Sequence, residues 1–329
     1  MSHPLRVAVL GFWHVHAGDY AKQTSDHPGT ELVAVWDDDT ARGQEGADRF
    51  GVEFASDLDT LLARDDVDAV TITTSTDVHH DIMVKAAEAG KHIFTEKLLA
   101  PTVAEAEAII AAADAQDVRL IVSLPRLYSG YTQAITELIA SGKLGELTYG
   151  RVRLSHDGSV NNWLPERFYD PATAIGGALT DLGCHPVYLI QLFLGSQPDS
   201  VSATYRSITH RAVDDHAVVT LGYGDQRIGV IEAGFVSQNP FTIEVFGTQG
   251  SVVYSDADNT LSVFGESFGH GWQTMPVPEH APDAFAQWVD HIDAGTRADD
   301  NLARAVELTR LVVAANESAA TGRTLPYPA

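Results

Sequence analysis

The sequence contains one cysteine, Cys184, in 329 residues. A lone thiol cannot form an intrachain disulfide or complete a cysteine-based zinc site, so stapled and zinc-ribbon folds are excluded. The scarcity suits a reducing compartment, and a cytoplasmic location is expected. Positive charge is also sparse: 21 Lys and Arg face 45 Asp and Glu, a formal net charge of −24. Such a surface repels nucleic acid and anionic membranes, and neither is expected as a partner. No apolar run approaches the ~20 residues of a membrane helix. Residues 1–6 lead straight into a strand pattern, without the apolar stretch and small-residue cleavage site of a secretory leader. Apolar residues nevertheless make up 44% of the chain. That is enough for sizeable cores, and the length suits two domains.

The first third alternates β-branched runs with helical patterns, the form of a parallel α/β sheet. Strands are expected at 5–10, 31–36, 52–54, 68–73, 92–95 and 120–123. Helices are expected at 15–25, from 39 to 49, at 57–63 and 78–89, and from Pro101 onward. Asp39 and Asp57 read as N-caps, and Thr102 with Glu105 as a capping box. A helix at 130–141 follows. Residues 200–264 then alternate as antiparallel strands with one solvated face do. Two helices, around 285–294 and 301–321, close the chain. The division is placed at 122: a Rossmann-type dinucleotide domain over 1–122, and a substrate and oligomerisation domain over 123–329.

Gly11 ends the first strand, where a tight turn and a helix N-terminus should present N–H groups to a pyrophosphate. The loop runs Gly11-Phe12-Trp13-His14-Val15-His16, so only the first glycine of G-x-G-x-x-G is kept. Asp37 closes the second strand, about 20 residues beyond the loop, where a carboxylate can accept from ribose hydroxyls and repel a 2′-phosphate. Asp38 lies beside it. NAD is therefore expected over NADP, although Arg42 could partly accommodate a 2′-phosphate.

Three further stretches carry a family resemblance. Thr73-Thr74-Ser75-Thr76-Asp77-Val78-His79 and Gly90-Lys91-His92…Glu96-Lys97 come first, then Gly176-Gly177…Asp181-Leu182-Gly183-Cys184-His185. The chain resembles the glucose–fructose oxidoreductase / inositol dehydrogenase / rhizopine-catabolism (Gfo/Idh/MocA) family. Phe246-Gly247-Thr248-Gln249-Gly250-Ser251 and the closing Ser318 to Gly322 are similar to its later landmarks. The resemblance implies a Rossmann domain followed by an α/β domain with a large, mostly antiparallel sheet. It implies NAD(P)-dependent oxidation or reduction of a sugar, polyol or related carbinol, and association through the open sheet as a homodimer or homotetramer. It places Thr73, Thr74, Ser75, His79, Glu96 and Lys97 at the cofactor. Departures from the family pattern are Trp13 and His16 at its second and third loop glycines, Ser75 and Thr76 in the turn after the fourth strand, Leu98 for proline, and Tyr188 for an acid.

Oxidising a carbinol needs a hydride acceptor, a proton acceptor and a group that steadies the oxygen. Lys97 is expected to stabilise developing charge on the substrate oxygen, with His185 as general base. Asp181, four residues earlier, falls on the same face of a helix and can orient the imidazole or bind a substrate hydroxyl. Pro186 should disturb the helical hydrogen bonding nearby. Cys184 reads as a small core residue. His14, Arg126 and Trp163 are the expected substrate contacts, since sugars bind through ring faces and bidentate donors. His14 and His16 with Asp181 and His185 match no zinc spacing, and no metal is expected. Two other readings remain: a redox-assisted lyase, glycosidase or epimerase that recycles NAD, and a dinucleotide-binding sensor without turnover.

Overall fold

The computed structural model describes residues 3–327. Met1 and Ser2, which open the run read as leaderless, lie outside the described residues. The chain divides into two compact units, Met1–Leu124 with Pro282–Thr309, and Pro125–Ala281 with Arg310–Ala329.

In the first unit the elements alternate: β1 (Leu5–Leu10), α1 (Ala17–Asp26), β2 (Thr30–Trp36), α2 (Thr40–Phe50), β3 (Glu53–Phe54), α3 (Leu58–Leu62), β4 (Ala69–Ile72), α4 (His79–Glu88), β5 (His92–Thr95), α5 (Val103–Ala115) and β6 (Leu120–Val122). The six strands order as β3-β2-β1-β4-β5-β6, and every pairing is parallel. This is the doubly wound order, which places ligands at the carboxyl ends of the strands. Val7 to Leu10 and Ala69 to Ile72 are fully buried, as strands covered on both faces must be. Side chains of Asp39 and Asp57 cap α2 and α3, and Thr102 with Glu105 forms the capping box of α5.

Residues 282–309, which the sequence reading gave to the second domain, cluster with the first unit instead. The reason is aromatic packing and one buried amide. On α9 (Ala284–Ala294), Phe285 and Trp288 stand 5.2 and 5.8 Å, ring to ring, from Phe94 of β5. Asn301 both donates to and accepts from the backbone of Val122, at 2.9 Å each way. These contacts span the length of the chain, and local periodicity carries no trace of them. The dividing point at Thr309 falls inside α10 (Asp299–Thr321).

The second unit holds a nine-stranded sheet in the order β14-β13-β12-β11-β7-β10-β9-β8-β15. Its strands are β7 (Leu147–Ser155), β8 (Ser200–Arg206), β9 (His216–Tyr223), β10 (Arg227–Gly234), β11 (Thr242–Gly247), β12 (Gly250–Ser255), β13 (Thr260–Gly265), β14 (Gln273–Met275) and β15 (Leu325–Pro326). Only β7 and β10 pair in parallel; the other pairings are antiparallel. The helices of this unit include α6 (Gly130–Ala140), α7 (Pro171–Ala174) and α8 (Cys184–Leu194). Helix α8 covers one face of the sheet, its Ile190 and Leu194 pressing on Gly150 and Gly229. The alternate positions form the opposite face, where Tyr149 stacks on Phe246 at 5.5 Å and Arg151 pairs with Glu232 and Glu244. Ile228 and Phe264 are exposed there.

Candidate active site

The carboxyl edge of the parallel sheet gathers the loop after β1 against those after β2, β4 and β5. Gly11 has φ +90°, and a Cβ there would lie 2.7 Å from Thr74 Cγ2 and 2.8 Å from the Thr74 nitrogen. Both the dihedral and the close approach demand glycine. The Thr73 hydroxyl donates to the Gly11 carbonyl, and the His14 N–H donates to the Thr73 carbonyl at 3.1 Å. Phe12 turns its ring into the cluster of Val9, Ala21, Leu32, Val35 and Ala47. Its ring is therefore core, and its backbone is what faces the loop. Trp13 is buried.

Asp37, at the end of β2, is fully enclosed. Its side chain accepts from the Phe12 N–H at 2.6 Å, the Asp39 N–H at 2.8 Å, Arg42 Nε at 2.9 Å and Arg42 Nη2 at 2.6 Å. A carboxylate offers about four acceptor positions, so Arg42 takes the two that the backbone leaves. Arg42 Nη2 also donates to Asp38 at 2.6 Å. Burial, then the neighbouring Asp37 carboxylate, raises the Asp38 carboxyl above its ordinary value, opposed by Arg42.

A second group lies at the end of β5. Glu96 and Lys97 are both buried, with Nζ 2.9 Å from Glu96 Oε1. This is an ion pair without hydrogen-bond geometry, since Oε1 has no hydrogen-bond partner. Lys97 Nζ is also 3.4 Å from His14 Nε2. Glu96 Oε2 accepts from the Tyr20 hydroxyl at 2.5 Å and lies 3.5 Å from His16 Nδ1. The Tyr20 hydroxyl in turn shares a hydrogen bond with Ser123 Oγ at 2.6 Å. Burial pushes the Glu96 carboxyl up, but the Lys97 ammonium and the imidazoles of His14 and His16 outweigh it and hold it well below its usual range. His16 and Tyr20 were not among the expected site residues. Their i,i+4 spacing on the incoming turn of α1 was the available signal.

His79 braces the loops after β4 and β5. It is buried, with Nδ1 2.8 Å from the Leu98 carbonyl and Nε2 3.3 Å from the Thr74 carbonyl. Burial pushes its pKa down, so the imidazole is neutral and only one nitrogen donates. Ser75 precedes a short 3₁₀ turn, Thr76–Val78, without capping it through its side chain.

In the second unit, Asp181 lies in a π-helical turn, Leu179–Gly183, and His185 in α8 directly after it. The expected regular helix through both residues is thus interrupted. Pro186, which has no N–H to donate, supplies the local cause. Cys184 is buried, its Sγ donating to the Asp181 carbonyl at 2.9 Å. His185 Nδ1 is 2.8 Å from the hydroxyl of Tyr188, which accepts from the Arg126 N–H at 3.1 Å. Tyr188, noted in sequence only as a departure, therefore holds the imidazole. The Arg126 guanidinium sits 4.0 Å over the Phe241 ring and donates to Tyr131 Oη at 3.1 Å. Trp163 is half exposed and donates to Asp157 at 2.9 Å, its ring 4.6 Å from that of His156. Burial lowers the His156 pKa, opposed by Asp181 and Asp157.

These features fit a dinucleotide: a glycine cradle, an α1 N-terminus with no side-chain cap, and a buried Thr74 hydroxyl without a hydrogen-bond partner. Two family models agree. Residues 5–124 match the oxidoreductase family with an NAD-binding Rossmann fold, and residues 132–253 match the GFO/IDH/MocA C-terminal domain. The chain belongs to the Gfo/Idh/MocA family. This family member is an NAD-binding oxidoreductase with a Rossmann domain and a large, mostly antiparallel sheet. A dTDP-3,4-didehydro-2,6-dideoxy-alpha-D-glucose 3-reductase of Streptomyces antibioticus is 30% identical over 76% of this chain and 75% of its own. A scyllo-inositol 2-dehydrogenase (NAD(+)) of Bacillus subtilis (strain 168) is 28% identical over 82% of this chain and 80% of its own. The crystal structure of GenD2 from gentamicin A biosynthesis, in complex with NAD, is 29% identical with a TM-score of 0.85, covering 99% of this chain and 97% of that one.

Proposed function

We propose that this Gfo/Idh/MocA member interconverts a carbinol and a carbonyl on a sugar or polyol, with NAD(H) preferred over NADP(H). The buried Lys97–Glu96 pair at the carboxyl end of β5, beside the glycine loop, is the observation that carries the reading. Backbone of Gly11 to His14, with Asp37, Thr73, Thr74, Ser75 and His79, would hold the dinucleotide, with Asp38 at the margin. The N–H groups of Phe12 and His14 are already engaged within the unit, which supports fewer backbone contacts to phosphate than an intact glycine loop makes. The dinucleotide supplies the hydride acceptor or donor. Lys97 hydrogen-bonds the substrate oxygen and stabilises its negative charge. His185 exchanges the hydroxyl proton. When Nδ1–H donates to the Tyr188 oxygen, Nε2 carries the lone pair that a base needs. Asp181 orients the imidazole or binds a neighbouring hydroxyl, and His14, Arg126 and Trp163 contact the substrate.

A cyclic polyol and deoxysugar panel tests the reading, followed by the absorbance of the reduced nicotinamide. Steady reduction of added NAD by one class of polyol or sugar is expected. Bound cofactor with no net exchange across the panel would overturn it. We also propose a cytoplasmic homodimer or homotetramer, joined through the sheet face bearing Tyr149, Ile228, Phe246 and Phe264. Light scattering of Phe246→Glu against wild type tests it: a shift to monomer is expected, and an unchanged mass refutes that face. Among the described residues no helix is long and apolar enough to cross a membrane.

A further inference from the structure

We propose that His14, His16 and Glu96 form a binding site for a divalent transition-metal ion of the zinc class, which enters by displacing the Lys97 ammonium. One ligand atom from each residue lies within 4.8 Å of the other two. The His16 Nδ1 to Glu96 Oε2 edge is already 3.5 Å, and the two imidazole rings are 4.6 Å apart, centre to centre. Zinc bonds of ~2.0–2.2 Å in a tetrahedron put ligand atoms roughly 3.3–3.5 Å apart. One edge therefore fits as it stands, and the widest must close by no more than about 1.5 Å.

The donor set also has the right chemistry. Two imidazoles and one carboxylate, with a fourth position left to water, is a ligand set that zinc uses where a position stays open. Imidazole favours zinc, copper and nickel over magnesium and calcium. The carboxylate has the outer-shell support such sites need: the Tyr20 hydroxyl donates to Oε2 at 2.5 Å and is itself tied to Ser123. The His16 side chain is 39% exposed and Glu96 only 2%, so an ion has an entrance at one ligand and a buried anchor at another. The Lys97 ammonium, 2.9 Å from Glu96 Oε1 and 3.4 Å from His14 Nε2, shows that this point already holds a cation. Two cations cannot share it, so metal loading moves Lys97 away.

Metal binding depends only on His14, His16 and Glu96. Loss of turnover on binding rests in addition on the role proposed for Lys97. Tag-free protein stripped with a chelator is titrated with Co²⁺, read by visible absorption, then with Zn²⁺ in competition, alongside melting curves. We expect one tetrahedral-type Co²⁺ band per chain, displaced by Zn²⁺, and a raised melting temperature. His16→Ala and the milder His16→Gln should weaken Zn²⁺ by at least the ~10–100-fold that a lost outer-shell partner costs. Lys97→Met should tighten it. Unchanged affinity in folded His16→Ala and His16→Gln, or no stoichiometric Co²⁺ band in wild type, would overturn the site. Turnover with the best substrate of the panel should fall with Zn²⁺ occupancy and return on chelation. Site-specific binding with unchanged turnover would keep the site and refute the displacement of a working Lys97.

Discussion

In the cofactor site proposed above, Arg42 would compete with the ribose for Asp37, and its removal should sharpen the preference for NAD(H). Asp37 has four donors on about four acceptor positions, two of them from Arg42. A ribose diol can reach this carboxylate only by exchanging its two hydroxyls for the two guanidinium bonds. Hydrogen bonds to charged groups are worth about 1.5–3 kcal/mol each, so the exchange runs near balance in wild type. Arg42→Ala removes the competitor while Phe12 and Asp39 still hold the carboxylate in place. Each bond of that size is worth about tenfold or more in affinity, so NADH binding should tighten by at least one tenfold step. NADPH loses the Arg42 guanidinium that its 2′-phosphate could meet and faces the Asp37 carboxylate without its cation. A weakening of about 10- to 100-fold follows from the same bond energies. The ratio of the two dissociation constants should then move by roughly 100-fold or more.

The assay is titration of protein with NADH and NADPH, followed by nicotinamide fluorescence, for wild type, Arg42→Ala and Asp37→Ser. Asp37→Ser should shift preference toward NADPH, because the freed guanidinium can meet the 2′-phosphate. It should also lower the melting temperature, since the Phe12 and Asp39 N–H groups lose their acceptor. Arg42→Ala that loosens NADH as much as NADPH would refute the argument, showing that Arg42 holds cofactor rather than competing for Asp37. A wild type that prefers NADPH would refute the reading of Asp37.

The sequence carried the fold of the first unit because its signals are local. Apolar runs, caps at Asp39 and Asp57 and the box at Thr102 and Glu105 each act within a few residues, and the structure shows them where they were read. Residues 282–309 were misplaced because their docking depends on Phe94 and Val122, far away in the chain. The family resemblance named Glu96, Lys97, Asp181 and His185, but not what holds them. Tyr20 and His16 meet Glu96, and Tyr188 meets His185, through side-chain contacts that only the folded chain brings together. The π turn at Leu179–Gly183 shows the opposite case: Pro186 announced a disturbance, yet not its form. Asp37 was read as a ribose ligand, and its capture by Arg42 depends on a rotamer that no spacing rule supplies.

The remaining predictions concern the second unit and Lys97. His185→Ala should lower turnover by about 10²–10⁴, the usual worth of a positioned acid–base group, and Lys97→Ala should lower it too, neither abolishing NADH binding. Near-normal turnover in both would move the chemistry elsewhere. Tyr188→Phe should cost about 5- to 10-fold in turnover, one hydrogen bond's worth, and shift the pH profile because His185 Nδ1 loses its partner; an unchanged profile would reduce Tyr188 to packing. Asp214 gives a stability test. Burial pushes its carboxyl up to about 6, and Oδ2 has no hydrogen-bond partner. An unfolded Asp titrates near ~3.9. Between about pH 4 and 6 the folded chain therefore holds a proton that the unfolded chain has released. Stability from this group is greatest below about pH 4, falls as pH rises through about 6, and is then level. Two pKa units correspond to about 3 kcal/mol, an upper bound. Asp214→Asn removes the buried charge and keeps the shape. It should raise the melting temperature at about pH 8, and the gain should shrink toward zero near about pH 4. Equal shifts at both pH values would mean that the amide acts through packing, and that the Asp214 carboxylate carries no burial penalty.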